Sequence, residues 1–238
     1  TLHVPLPYLG LLNPAEISAV IGHELAHFAG QDTEYSLRFL PIYDGVNRSL
    51  EALHDTLLAS DLIQGWLMRP SFLFGVFFIQ RFDHAVNHWS RERELLADAA
   101  GARLAGNAAA ASALLRVSVL QPHIEDALIS QCETASTMDL TDAVLVALRA
   151  QGLQLPPEAL DIQQPHPTDS HPCNGERLQA LNVSLEEAKR NATRAVDVEA
   201  AKAQLAAFFS SAAALSEQLS EDLIKAVTAE DEAQTELL

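Results

Sequence analysis

Residues 13–30 are bounded so sharply that one helix is the natural reading of them. Asn13 is a good N-cap, and Pro14 suits the first helical position, where its fixed φ fits and its missing N–H leaves no gap. Glu16 stands where a capping-box carboxylate reaches back to the cap, and Gly30 is a natural stop. Inside these bounds lies His23-Glu24-Leu25-Ala26-His27. At 3.6 residues per turn the two imidazoles are displaced by only about 40° around the axis, one above the other. Ile17, Ile21, Leu25 and Phe28 recur at helical spacing well away from them. That pattern predicts an apolar face for packing and a separate face for the histidines.

Two imidazoles one turn apart can grip a single metal ion. Glu24 follows the first directly, a position from which its carboxylate reaches a water on the ion rather than the ion itself and takes its proton. A catalytic Zn²⁺ usually takes three protein ligands and leaves a fourth position for water, so a further ligand is expected downstream. The candidate is Glu94, within Ser90-Arg91-Glu92-Arg93-Glu94-Leu95-Leu96-Ala97-Asp98-Ala99-Ala100-Gly101, the second strong helical pattern. Asp98, one turn later, is placed to accept a hydrogen bond from the far nitrogen of a metal-bound histidine. Gly101 and Ala105 continue that face and are small enough to let the two helices lie close. The competing reading pairs Glu92, Glu94 and Asp98 with Arg91 and Arg93 on a solvated helix surface. The histidine helix upstream favours the ligand.

The rest of the chain reads as mainly α. Its 238 residues suffice for one substantial core, or for a core with a helical arm. Apolar residues make up 48%, in Ala- and Leu-rich stretches with few β-branched runs. Thr1 to Pro7 alternates apolar residues with His3 and two prolines, which predicts a short edge strand. Helical patterns follow over 32–60, interrupted near Pro41 and Gly45, then over 71–104, 108–120, 124–132 and 139–149. Residues 152–175 carry Pro156, Pro157, Pro165, Pro167 and Pro172 and read as a loop. Further helices are expected over 176–190 and 196–229. A catalytic domain over 1–194 and a C-terminal helical arm over 195–238 describe this organisation.

Fifteen basic against thirty-two acidic residues give a net charge of -17, which disfavours nucleic acid and anionic lipid as partners. Two cysteines, Cys132 and Cys173, make neither a disulfide framework nor a thiolate metal site. The chain starts at Thr1 without a leader, as a fragment of a longer protein would. The most apolar run, Pro70 to Gln80, falls short of the roughly 20 residues that span a bilayer. A buried core helix is the favoured account of it. An interfacial segment is the other, given Trp66, Arg69 and Arg81 around it.

Taken together, these residues resemble the HtpX and CAAX prenyl endopeptidase family of zinc metallopeptidases, which joins His-Glu-x-x-His on one helix to Glu-x-x-x-Asp on a later one. Ala15 to Gly22, Asp32 to Ser36 and Ser90 to Glu94 look like that family's own sequence, and the likeness returns around His171 to Leu181. The resemblance implies a gluzincin-like fold, one Zn²⁺ on His23, His27 and Glu94, Glu24 as base, and polypeptide substrates. It implies membrane association too, with the catalytic part on the cytoplasmic side, and a role in protein quality control. His171-Pro172 with Arg177 six positions after the histidine matches the family's His-Pro and arginine, both expected to reach the site from a loop. For His171 two roles stand open: stabilising the transition state, or taking the fourth zinc position in a resting enzyme. Arg177 would hold a substrate carbonyl or the oxyanion.

His166-Pro167 is a near-duplicate, but Pro172 stands where its arginine would be. His84 and His88 repeat the histidine spacing with Ala85 in place of a base and read as packing residues, as supports behind the metal ligands or as cleft-wall residues, while His3, His54 and His123 lack ligand-like company. Two competing readings use the same ligands: a zinc-stabilised helical scaffold with a partner-binding arm, and a latent, self-inhibited peptidase.

Overall fold

The computed structural model describes residues 5–30, 32–59, 62–134, 139–150, 153–156 and 172–235. Ten helices are found among them: α1 (Leu6–Leu11), α2 (Pro14–Ala29), α3 (Asp32–Ala59), α4 (Leu62–Ala105), α5 (Asn107–Thr134), α6 (Leu140–Ala150), α7 (Asn174–Ala180), α8 (Leu185–Ala192), α9 (Val198–Phe208) and α10 (Ala212–Thr235). The mainly α expectation holds, and no strand occurs among the described residues. Leu6 and Pro7, expected at the end of an edge strand, instead open α1, where Pro7 is tolerated in the first turn. Residues 1–4 lie outside the described set.

α5 is the axis of the core. Leu115, Val119, Leu120 and Ile124 are buried along it against Val144, Leu145 and Leu148 of α6, with Leu178, Leu181, Ala188 and Ala192 from α7 and α8 completing the cluster. This packing explains why the helix runs through Pro122, where two separate helices were expected. One lost backbone hydrogen bond is offset by apolar burial on both sides of the proline. α3 also continues through Pro41 and Gly45, and α4 through Pro70.

The C-terminal helices, by contrast, are shorter than their patterns suggested. α7 and α8 are divided at Asn182, whose φ of 54° is left-handed. Asn182 donates to the Gln179 carbonyl at 3.0 Å and Val183 to Leu178 at 3.2 Å, a Schellman closure in which asparagine replaces the usual glycine. Ser184 then caps α8 by accepting from the Glu187 N–H. The extended Phe209 ends α9 before α10 begins.

α2 is the helix its sequence bounds announce. Asn13 Oδ1 accepts from the Glu16 N–H at 2.9 Å, and Glu16 Oε2 from the Asn13 N–H at 2.8 Å. The Glu16 carboxylate is also fully buried, which its capping role does not require. It takes two 2.5 Å hydrogen bonds from Arg194 and one from Ser112 Oγ. Beside it, the buried Arg116 donates to the carbonyls of Leu11 at 2.9 Å, Ala192 at 2.8 Å and Arg194 at 2.9 Å. Burial, helped by the Arg194 charge and opposed by Glu16, lowers the Arg116 pKa to about 10.

The predicted apolar stripe of α2 needs correction. Ile17 is buried, but Leu25 and Phe28 are about half exposed. What packs instead is a face of small residues against α4. A Cβ on Gly22 would lie 2.6 Å from Leu104 Cδ1 and 3.1 Å from Gly101 Cα, and a Cβ on Gly101 would strike the Ala19 carbonyl. The expectation that Gly101 lets the helices close up is met.

α4 has 44 residues and extends about 66 Å. Its second half packs on α2 and α5, while its first half runs antiparallel to α3, with His54 against Phe72 at 5.8 Å between ring centroids. The Pro70 to Gln80 run is not a buried core helix: Leu73, Phe74, Phe77 and Phe78 are exposed, as are Trp66 and Leu67.

Two glycine substitutions should therefore move stability in opposite directions. Gly101→Ala gains roughly 1 kcal/mol of helix propensity but forces a Cβ into backbone, an overpacking cost of about 1–3 kcal/mol. Gly45→Ala meets nothing within 4 Å and keeps the gain. Thermal melts followed by circular dichroism should show Gly45→Ala rising by roughly 2–4 °C and Gly101→Ala falling. Equal rises would show that the close approach of α2 and α4 carries no weight.

Candidate metal site

Three helices converge on the site. α2 brings His23 and His27, α4 brings Glu94 and Asp98, and α7 brings Arg177. The seam of small residues decides the approach, because a Cβ at Gly101 would also lie only 3.4 Å from the His23 backbone nitrogen. One to two turns back along α4 from this contact, Asp98 and Glu94 meet the histidine face of α2.

The Nε2 atoms of His23 and His27 are 3.1 Å apart. One Glu94 oxygen lies 3.6 Å from His23 Nε2 and the other 3.5 Å from His27 Nε2. A tetrahedral Zn²⁺ with bonds of about 2.0–2.1 Å sets its ligand atoms roughly 3.3 Å apart, so the donors span the right gap. Nitrogen and carboxylate donors are also the set that zinc accepts. His23, His27 and Glu94 are the group that can hold a metal among the described residues.

Hydrogen bonding around the donors suits the same task. Asp98 Oδ1 accepts from His23 Nδ1 at 2.9 Å, which leaves His23 Nε2 with its lone pair turned toward His27 and Glu94. Asp98 is seated by Arg177, whose Nε donates to Oδ2 at 2.7 Å and Nη2 to Oδ1 at 2.6 Å. Burial alone would raise the Asp98 pKa, yet the hydrogen bonds from Arg177 and His23 outweigh it and hold the carboxyl below its usual range. Arg177 is shifted the opposite way: burial is overcome by Asp98 and Glu94, which keep the guanidinium charged. Burial, set against the Glu94 charge, lowers the His27 pKa and favours the neutral imidazole a metal needs.

Glu24 is exposed. It lies about 100° round α2 from His23, beside the donor cluster rather than within it. Arg177 enters from α7 and not from a loop, and its fork is occupied by Asp98, a partner the sequence reading did not assign to it. His171 and His166 fall outside the described residues. His88 lines a cavity of about 360 Å³ with Arg91, Leu95, Pro172 and Glu176. His84 is exposed, and Cys173 is a free thiol at the N-cap of α7.

The family model of peptidase family M48 matches residues 7–185, three-quarters of the chain, and spans His23, Glu24, His27, Glu94, Asp98 and Arg177. The chain belongs to peptidase family M48. No curated protein and no solved structure matches it. The family is one of metallopeptidases, in keeping with the cluster on α2 and α4.

Removing Glu94 should expose the weight of the third donor. Glu94→Ala is expected to lose zinc by at least tenfold in affinity, read by competition with a chelator, with helicity unchanged by circular dichroism. Zinc retained at full affinity would exclude Glu94 as a ligand.

Proposed function

We propose that this protein is a zinc-dependent endopeptidase in which His23, His27 and Glu94 hold the ion and Glu24 is the general base. The observation that carries the reading is the spacing of the three donor groups, 3.1 to 3.6 Å, with Glu24 exposed beside them. Zinc bound there supplies Lewis-acid polarisation of the scissile carbonyl and makes a water acidic enough to attack at neutral pH. Glu24 accepts the proton of the attacking water and then delivers it to the leaving nitrogen. Neutral His27 and Asp98-oriented His23 keep their lone pairs on the site, and the Glu94 carboxylate offsets part of the ion's charge. The endopeptidase character and the unfolded-polypeptide substrate class rest on the likeness to the zinc metallopeptidases.

Glu24→Gln should keep the fold and bind zinc but lower hydrolysis of an unfolded polypeptide such as casein by about 10²–10⁴-fold. A variant that cleaves like the wild type would leave a zinc-stabilised scaffold as the better account.

The same proposal places the enzyme at a membrane surface, where it would act on damaged polypeptides. No described helix is long and apolar enough to cross a bilayer. Support comes from the exposed Trp66, Leu67, Phe74, Phe77 and Phe78 of α4, with Arg81 stacked 5.2 Å over Phe77. Aromatic rings beside arginines suit the headgroup boundary. Because the chain is strongly acidic, flotation with zwitterionic phosphatidylcholine vesicles is the appropriate assay. Wild type should float and the Phe74→Ser, Phe77→Ser double variant should not; wild type left at the bottom of the gradient would retire the surface reading.

A further inference from the structure

Arg177 touches both carboxylates of the cluster. Its Nε and Nη2 hold the two oxygens of Asp98 at 2.7 and 2.6 Å, and Nη2 also lies 3.7 Å from Glu94 Oε2. Asp98 Oδ1 in turn carries the hydrogen bond from His23 Nδ1. A guanidinium is planar, so seating a carboxylate at two points fixes its plane as well as its position. The carboxylate so fixed determines the turn of the His23 ring.

The helix that brings Arg177 is itself firmly held. Leu178 and Leu181 are buried in the main core, and Asn107 Nδ2 donates to the Leu181 carbonyl at 2.8 Å. The arginine is thus delivered from the core rather than from the surface.

The geometry points to Arg177 as a positioning residue of the metal site, acting through Asp98 to keep His23 Nε2 aimed at the ion, and not as a group that meets the substrate. This rests on the zinc peptidase reading above. Two effects oppose each other in the consequence. By charge alone, removing a cation near a divalent ion should tighten metal binding. Yet the Arg177 charge is already matched by Asp98 at hydrogen-bond distance, so the site feels an ion pair more than a free cation. Loss of the fork leaves Asp98 a buried carboxylate with its orientation released, and losing such outer partners typically costs 10–100-fold in metal affinity. The orientation effect therefore wins.

Zinc affinity, measured by competition with a chromophoric chelator on the whole chain, tests the sign directly. Arg177→Ala should weaken binding by about 10–100-fold. Arg177→Lys keeps a charge and offers one point of attachment in place of a fork, and should weaken it by about tenfold while preserving helicity. In an Asp98→Asn background, Arg177→Lys should add little, because the two residues act in series. Wild-type zinc affinity in both single variants would overturn the assignment. So would an undiminished loss in the Asp98→Asn background, or a fall in kcat at saturating zinc with affinity unchanged, which would put Arg177 on the substrate. A wild-type chain that takes up no zinc would fail the peptidase reading itself, before any variant is made.

Discussion

The backbone approach of α2 and α4 at Gly22 and Gly101 is the constraint on which the rest of the structure depends. Helices that pack through ordinary side chains keep their axes about 8–10 Å apart. Here a Cβ at either glycine would collide, with Leu104 in one case and with the Ala19 carbonyl in the other. The imidazoles of His23 and His27 and the carboxylate of Glu94 are side chains of limited reach. Glu94 comes within 3.5 to 3.6 Å of the two imidazoles because the two backbones come this close one to two turns away. A metal site tolerates only a few tenths of an ångström of error, so the glycines belong to the chemistry as much as the donors do.

A second constraint holds the start of α2. Burying the Glu16 carboxylate would be costly without partners, and breaking a buried pair typically costs about 3–5 kcal/mol. Glu16 is satisfied by the Asn13 N–H, by Ser112 and by both terminal nitrogens of Arg194. Next to it, Arg116 ties the last carbonyls of α1 and α8 together, a favourable place for a cation at two helix C-termini. These charges join segments that lie far apart in the chain around the first turn of the histidine helix. Glu16 and Arg116 are paired and buried, whereas the first half of α4 leaves large aromatic rings in solvent. Such exposure does nothing for the stability of the isolated chain and is understandable as a surface for something else.

Much of the site was legible in order along the chain. Asn13, Pro14, Glu16 and Gly30 define α2 because capping chemistry acts over three or four residues, and the structure reproduces both halves of the capping box. The histidine spacing, Glu94, Asp98 and the small residue at 101 could be read as well, since each is a matter of helical periodicity. The edge strand failed at Leu6 and Pro7, where local alternation was overridden by packing of Leu6, Leu9 and Leu12 against Ile17 and Leu205. The expected break at Pro122 failed for a similar reason, α3 runs through Pro41 as well, and Asn182 hid a helix end because the left-handed position carries no glycine.

What the sequence by itself determined was therefore the local geometry: a bounded helix with two imidazoles and a carboxylate between them, and a second helix with a carboxylate and its acidic neighbour one turn on. Tertiary structure alone decided that Arg177 seats Asp98, 79 residues away, and that Arg194 and Arg116 neutralise and anchor the buried end of α2. It also decided that Leu25, Phe28, Phe74, Phe77 and Phe78 face outward. The physical reason is one of range. Caps and helical faces are fixed by neighbours three or four residues away, while an ion pair between residues 16 and 194 or the burial of a face depends on which helices the whole chain brings together.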